Sequence, residues 1–304
     1  MSEPAYAAVD WGTSSFRLWL VDGAGAALAE RRTPQGMAAL TSPDFAPVLD
    51  SHLEALGAPR GLPVLICGMA GARKGWVEAG YVDTPARLSS IAERAVAAPH
   101  ASRDVRILPG LAQRDPSRPD VMRGEETQLL GAFGFEPTGR ALVCLPGTHS
   151  KWVTVGAGTV ERFTTFMTGD LFSAVTQRTI LSHAVAGAEN AEDVDAFRSA
   201  VSAAFDNPAL AANLLFQVRS RELLAGGAPA SARERISGTL IGLEIAGGLP
   251  KEATGQGITL IASGRLRQRY SSAFDTLSVP VRTIDADQAA LAGLSICARA
   301  IWSA

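Results

Sequence analysis

Two segments of the chain gather hydroxyls, a glycine and charge into a tight turn between short apolar runs. They are Val9-Asp10-Trp11-Gly12-Thr13-Ser14-Ser15-Phe16-Arg17 and Leu145-Pro146-Gly147-Thr148-His149-Ser150-Lys151-Trp152. In the first, Gly12, Thr13 and Ser14 can offer backbone N–H groups and hydroxyls to phosphate oxygens. Asp10, at the end of a buried strand, can hold Mg²⁺, usually through water, because that hard cation takes oxygen ligands. Arg17 brings a forked guanidinium suited to a phosphate. In the second, Gly147, Thr148, Ser150 and Lys151 repeat these ingredients and add a cation. Either turn alone is also compatible with an ordinary hairpin whose polar side chains satisfy nearby backbone groups. Together, facing across a cleft, they would meet what an ATP triphosphate and its metal require. His149 could touch phosphate or substrate, or simply be held by local hydrogen bonds.

Between the turns lies Met122-Arg123-Gly124-Glu125-Glu126-Thr127-Gln128, two adjacent carboxylates at the start of an otherwise apolar helix. Phosphoryl transfer to an alcohol needs a carboxylate to orient the hydroxyl and accept its proton. Adjacent helical residues point about a third of a turn apart, so only one of Glu125 and Glu126 is expected to face the reacting group. Acidic residues also favour a helix's first turn for its dipole alone. The loop Cys67-Gly68-Met69-Ala70-Gly71-Ala72-Arg73-Lys74-Gly75-Trp76 joins small residues to two cations and an indole. It suits an anionic, hydroxylated ligand, with Arg73 on a carboxylate and Trp76 against carbon atoms; an ordinary exposed loop is the plainer account. Ser263-Gly264, after a buried strand and before a helix, fits the close approach of an adenosine.

The elements that must carry these groups read as follows. Tyr6–Val21 is a strand, turn and second strand, and Asp22-Gly23-Ala24-Gly25 leads into a third strand near residues 27–32. Helices are expected over residues 43–56, 85–98, 120–133 (capped by Asp120), 170–181, 191–205, 210–225, 232–247 and 287–301, and buried strands over 63–67, 105–108 and 258–262. The segment 141–165 repeats the opening order of strand, hydroxyl-rich turn, strand, Gly-rich turn, strand, which suggests two related halves. The expectation is an α/β protein in two lobes, residues 1–136 and 137–304, with a cleft between them and a last helix able to pack back on the first lobe.

Composition narrows the partners. The 304 residues are 47% apolar, enough for a substantial core, and 28 basic residues stand against 30 acidic ones for a net charge of -2. No basic block offers a footprint for nucleic acid. Cys67, Cys144 and Cys297 are widely spaced in apolar stretches, as reduced core thiols are. With no signal-like amino terminus and no long apolar run, a cytoplasmic protein without a membrane partner is expected. A small molecule is the expected partner, and a homodimer stays open.

The order phosphate turn, carboxylate helix, second phosphate turn, adenosine turn resembles the superfamily of sugar kinases, chaperones and actin. The start of Gly124-Glu125-Glu126-Thr127-Gln128-Leu129-Leu130-Gly131 looks like the Gly-Asp-Gln-Gln helix start that carries the catalytic aspartate in glycerol- and xylulose-type kinases. A closer resemblance, to the 2-dehydro-3-deoxygalactonokinase family, is carried by VDWGTSSFRLWLVD, RRTPQGM, CGMAGARKGWVEAGYV, LPGL, PDVMRGEETQLLGA, CLPGTHSKWV and TFMTGDLF, from Val9 to Phe172. The carboxyl-terminal third resembles it more loosely, through Ile236-Ser237-Gly238 to Glu244 and the Asp287 helix. The resemblance implies the two-lobed actin/hexokinase-like (ribonuclease H-like) fold and transfer of the ATP γ-phosphoryl group, with Mg²⁺, to the C6 hydroxyl of 2-dehydro-3-deoxy-D-galactonate. It implies Glu125 as base, with Glu in place of Asp, and an acceptor site around Gln35, Gly36, Gly68, Met69, Arg73, Trp76 and His149. Two alternatives remain: a phosphohydrolase of the exopolyphosphatase type, and a nucleotide-gated switch protein.

Overall fold

The computed structural model describes residues 3–134, 139–188, 192–250 and 257–302. Two compact units divide the chain: Met1–Ala141 with Val153–Phe163 and Ile284–Ala304, and Leu142–Trp152 with Thr164–Thr283. The boundary expected between residues 136 and 137, and residue 191 at the start of an expected helix, lie outside the described residues.

The first unit begins with β1 (Tyr6–Trp11), β2 (Phe16–Val21), β3 (Ala27–Thr33), α1 (Phe45–Ala55) and β4 (Val64–Gly68). Then come β5 (Tyr81–Asp83), β6 (Ala86–Arg87), α2 (Ser90–Glu93), β7 (Val96–Ala98), β8 (Val105–Ile107), β9 (Gly110–Gln113), β10 (Asp120–Met122) and α3 (Glu125–Phe133). Its main sheet has the order β3-β2-β1-β4-β8-β7, and β10-β9-β5 form a small second sheet. β1 runs antiparallel to β2 but parallel to β4. Buried on both sides, β4 is a continuous apolar run and β1 is apolar but for Asp10, whereas β3 at the edge alternates and carries Arg31 and Arg32. Behind this sheet Trp11 packs edge-on against Phe16 at 4.8 Å between ring centroids and against Phe45 at 5.1 Å, within the unit's main apolar core.

Two expected helices are corrected here. Residues 85–98 form β6, the single turn α2 and β7 instead, with Ala86 paired to Val160 and Val96 to Ile107. Their apolar residues are taken up by strand partners remote in sequence, which no local periodicity reveals. The helix expected from Asp120 begins only at Glu125, because residues 120–122 pair with β9 and Gly124, at φ 108°, turns the chain. That left-handed backbone conformation favours glycine.

The second unit continues from β11 (Arg140–Leu145) and the start of β12 (Ser150–Gly156); β13 (Thr159–Phe166) leads into α4 (Thr168–Arg178). Next follow α5 (Val194–Asp206), α6 (Ala211–Ala225), α7 (Pro229–Gly248), β14 (Ile258–Ile261), α8 (Gly264–Thr276) and β15 (Val281–Ile284). Here β11 takes β14 as a parallel partner, as β1 takes β4. The repeat expected from the sequence thus extends to the crossover strand.

The closing helix α9 (Ala286–Trp302) belongs to the first unit and lies directly on α3. A Cβ on Gly131 would fall 1.8 Å from the Ala289 carbonyl oxygen, and one on Gly293 would fall 2.0 Å from that of Thr127. The backbones of the carboxylate helix and the last helix therefore touch through glycines.

Candidate active site

In the first unit, Asp10 sits at the end of β1 opposite Arg17 in the β1–β2 register. The hairpin is closed by the Gly12 N–H donating to the Ser15 carbonyl at 2.9 Å. It is clamped from outside by Met37 and Ala38, whose N–H groups donate to the Gly12 and Thr13 carbonyls at 3.0 Å. Gly36 makes this possible, since a Cβ there would lie 2.3 Å from the Thr13 carbonyl oxygen. The Gln35 carbonyl accepts from the Trp11 indole at 3.2 Å, and its side chain is exposed. Thr13 and Ser14 stay exposed at the tip. Gly12 thus spends its N–H inside the turn, as Gly147 does in the second turn, where its N–H meets Ser150.

The Arg17 guanidinium binds Asp287 at the start of α9 and lies 3.8 Å from Asp10, while Arg32 reaches the other Asp287 oxygen at 2.6 Å. Asp287 was expected only as part of a helix; a pairing across so many residues leaves no trace in local pattern. Burial raises the Asp10 pKa; Arg17 offsets this, and the negative charges of Asp287 and Glu125 add to the rise. Carboxylates thus crowd this corner, a field that favours a cation. Among the described residues no group of three or more His, Cys, Asp or Glu side chains could hold a metal. An ion at Asp10 would therefore complete its shell from water and ligand oxygens, as Mg²⁺ does.

The two helix-start carboxylates part ways. Glu126 is fully buried; the Gly124 N–H donates to both its oxygens at 2.8 and 2.7 Å and the Thr127 hydroxyl donates to Oε1 at 3.1 Å. Its pKa is pushed up to about 7, first by burial and then by Glu125 beside it. Glu125 is half-buried, with Oε2 accepting the Arg123 N–H at 3.0 Å. Gly124 closes the gap to the acceptor loop, its Cβ position lying 3.4 Å from the Gly68 Cα.

In that loop Gly68 is buried, Met69 half-buried and Arg73 exposed, 3.6 Å from Glu78. Trp76 is corrected: it is 5% exposed and stacks on Phe45 at 5.9 Å in the core, so its ring is committed to packing. Arg123, which the sequence did not single out, lies 4.5 Å over the Tyr81 ring and donates to the Gly80 carbonyl at 2.7 Å.

In the second unit, the turn after β11 has Thr148 and His149 exposed. The Thr148 carbonyl accepts the Asp170 N–H at 3.0 Å, and His149 Nε2 is 3.2 Å from Asp170 Oδ2. Ser150 and Lys151 turn inward, a correction to their expected phosphate contacts. Ser150 is fully buried, accepting the Gly147 N–H at 3.4 Å and lying 3.2 Å from the Tyr270 hydroxyl, and Lys151 Nζ donates to the His149 carbonyl at 3.2 Å. Beneath them lies Glu244 of α7, buried, accepting from the Trp152 indole at 2.9 Å, the Tyr270 hydroxyl at 2.6 Å and the Thr168 hydroxyl. Burial raises its pKa and these donors hold it down.

Beside this turn opens a cavity of about 240 Å³ lined by Gly147, Thr168, Phe172, Arg233, Leu266 and Tyr270, among others. Arg233 lies 5.2 Å over the Phe172 ring. Ser263 and Gly264 form the entry to α8, whose next residues, Arg265 and Leu266, reach the cavity wall.

A strand order with two parallel crossovers, a carboxylate at the end of the first strand and a carboxylate pair on a following helix define a two-unit α/β protein of the actin/hexokinase-like class. A solved activator of 2-hydroxyisocaproyl-CoA dehydratase from Clostridium difficile, with bound ADPNP, shares this fold at a TM-score of 0.50 and 12% identity, over 98% of this chain and 96% of its own. The family profile described as 2-keto-3-deoxy-galactonokinase matches residues 10–297, and the chain belongs to that family. A curated protein of Rhizobium meliloti (strain 1021), named a probable 2-dehydro-3-deoxygalactonokinase, is 58% identical over 98% of this chain and 97% of its own length. The 2-dehydro-3-deoxygalactonokinase of Escherichia coli (strain K12) is 33% identical over 97% and 98%. A crystal structure of a Sinorhizobium meliloti protein assigned as a 2-dehydro-3-deoxygalactonokinase superposes with a TM-score of 0.93 at 57% identity, covering 98% of this chain and all 100% of that one.

Proposed function

We propose that the protein is an ATP-dependent kinase that phosphorylates the C6 hydroxyl of 2-dehydro-3-deoxy-D-galactonate in the cytoplasm, as part of galactonate breakdown. Family membership supports the activity. The single structural observation that supports the chemistry is the division of labour at the start of α3, where Glu126 is buried and bonded while Glu125 faces the carboxylate-rich corner of Asp10.

In this reading Glu125 accepts the proton of the acceptor hydroxyl as its oxygen attacks phosphorus, and Glu126 fixes the helix start by holding the Gly124 N–H. Asp10 is the residue that would hold Mg²⁺, which would supply charge neutralisation on the phosphates. Within the first unit Thr13 and Ser14 are the groups offered to phosphate; within the second, Gly147 and Thr148 are, with His149 offered to phosphate or acceptor. The adenosine occupies the cavity beside Gly264, its base between Phe172 and Leu266. Arg73, exposed, meets the carboxylate of the acid, with Gln35, Gly36, Gly68 and Met69 around the sugar chain. Arg17, held between Asp10 and Asp287, positions charge near the transferring group.

A panel of 2-keto-3-deoxy acids with ATP tests this reading. The galactonate derivative is expected to yield a C6 phosphomonoester, identified by phosphorus–proton NMR coupling. Phosphate on any other oxygen, or no phosphoester with any acid of the panel, overturns it.

A further inference from the structure

A buried polar cluster of the second unit is built on Glu244, which is not among the residues lining the cavity. Its side chain is 1% exposed within apolar surroundings, and its carboxylate accepts from Trp152, Tyr270 and Thr168. The Cys144 thiol lies 3.9 Å from Oε1. A buried carboxylate met by this many donors is satisfied as an acceptor, which fixes the direction of the bonds it makes.

That direction propagates. The Tyr270 hydroxyl has one proton and, at 2.6 Å from Glu244 Oε2, gives it to the carboxylate. Ser150, which lies 3.2 Å from the Tyr270 hydroxyl and also bonds Glu244 itself, then gives its one proton to one of these two oxygens. Its remaining lone pair accepts the Gly147 N–H at 3.4 Å. The chain runs one way, from the Gly147 N–H of the second turn to Ser150, and from Ser150 to Glu244 directly or through Tyr270. A second arm ends on Thr168, and both Thr168 and Tyr270 line the cavity together with Gly147.

We infer that Glu244 is a positioning residue for the nucleotide: its carboxylate polarises one hydrogen-bond chain that sets the second turn and the two polar walls of the cavity in the geometry that binds ATP. The inference rests on the proposed nucleotide occupancy of that cavity. Trp152 provides an internal comparison, since it donates to the same carboxylate but does not line the cavity. Glu244→Gln replaces an acceptor-only group by one that must also donate, so the chain can no longer run in a single direction. Tyr270→Phe removes the hydroxyl that links Ser150 to Glu244 from the cavity side and leaves the ring in the wall.

The test is calorimetric binding of MgATP to the purified protein, with KM for ATP and for the acid measured separately and thermal melting as the control for folding. Glu244→Gln and Tyr270→Phe are each expected to weaken MgATP binding about tenfold or more, and to leave the acid's KM within about twofold, on the usual size of hydrogen bonds to charged groups. Trp152→Phe is expected to lower the melting temperature while MgATP binding stays within about twofold. Should Glu244→Gln fail to fold, Tyr270→Phe alone carries the decision. Wild-type binding with unchanged affinity in Tyr270→Phe overturns the inference and leaves the kinase reading standing. Equal losses in all three variants, tracking melting temperature, also overturn it, because the carboxylate would then be merely structural. Absence of MgATP binding to the wild type removes the nucleotide reading itself.

Discussion

Two neighbouring glutamates on one helix cannot share a role, because about 100° of rotation separates them. One turns into the contact with α9 and is buried; the other stays at the edge of the carboxylate corner. Glu125→Gln is expected to lower kcat by about a hundredfold or more with ATP affinity retained, the size of a general-base loss. A large loss from Glu126→Gln with a small one from Glu125→Gln would reverse the assignment in a steady-state comparison. Glu126 carries its own pH signature. Its folded pKa of about 7 exceeds the ordinary 4.5, so the folded state holds a proton that the unfolded state releases between those values. The stability supplied by that proton is full below about pH 4.5 and is lost as pH rises through about 7. Glu126→Gln should therefore stabilise the protein at pH 8 relative to pH 4, by an amount on the order of 2 kcal/mol. Calorimetric melting at both pH values measures it, and a difference that does not change with pH would refute it. The sequence identified this pair and its spacing. Which member faces inward was illegible, because the packing of α9, a remote helix, decides it.

At the scale of elements, the site depends on helices that touch without side chains between them. Gly131 and Gly293 let α3 and α9 meet backbone to backbone, and α9 in turn delivers Asp287 to Arg17. Gly293→Ala, whose new methyl would lie 2.0 Å from the Thr127 carbonyl, is expected to cost roughly 2–4 kcal/mol in urea denaturation and to lower kcat with it. A cost within about 0.5 kcal/mol would mean that the helices part without consequence. The opening meander and the long helices were readable from period and turn residues alone. The segment 85–98 and residues 120–122 were not, because each finds its ladder partner far along the chain. Inward-facing Ser150, Lys151 and Trp76 show the same limit: residue type announces a polar or stacking capacity, and tertiary packing decides whether it faces a ligand.

For the whole molecule, the family and its fold were legible because the motifs follow one another in order over more than half the chain, whereas the contacts of Glu244 and Asp287 had no local signature. The acid and the nucleotide are assigned to different groups, so their affinities should separate. Arg73→Ala is expected to raise the KM of the acid about tenfold while that of ATP changes within about twofold, the usual behaviour of a guanidinium that meets a carboxylate. Equal changes in both constants would move Arg73 away from the acceptor.

The most direct test of a kinase is whether ATP turnover waits for the alcohol. ADP release, followed by a coupled assay with MgATP and with or without 2-dehydro-3-deoxy-D-galactonate, should be acceptor-dependent, with one ADP for each phosphoester formed. ADP release at the same rate without the acid would contradict phosphoryl transfer to a sugar hydroxyl and point to water as the acceptor.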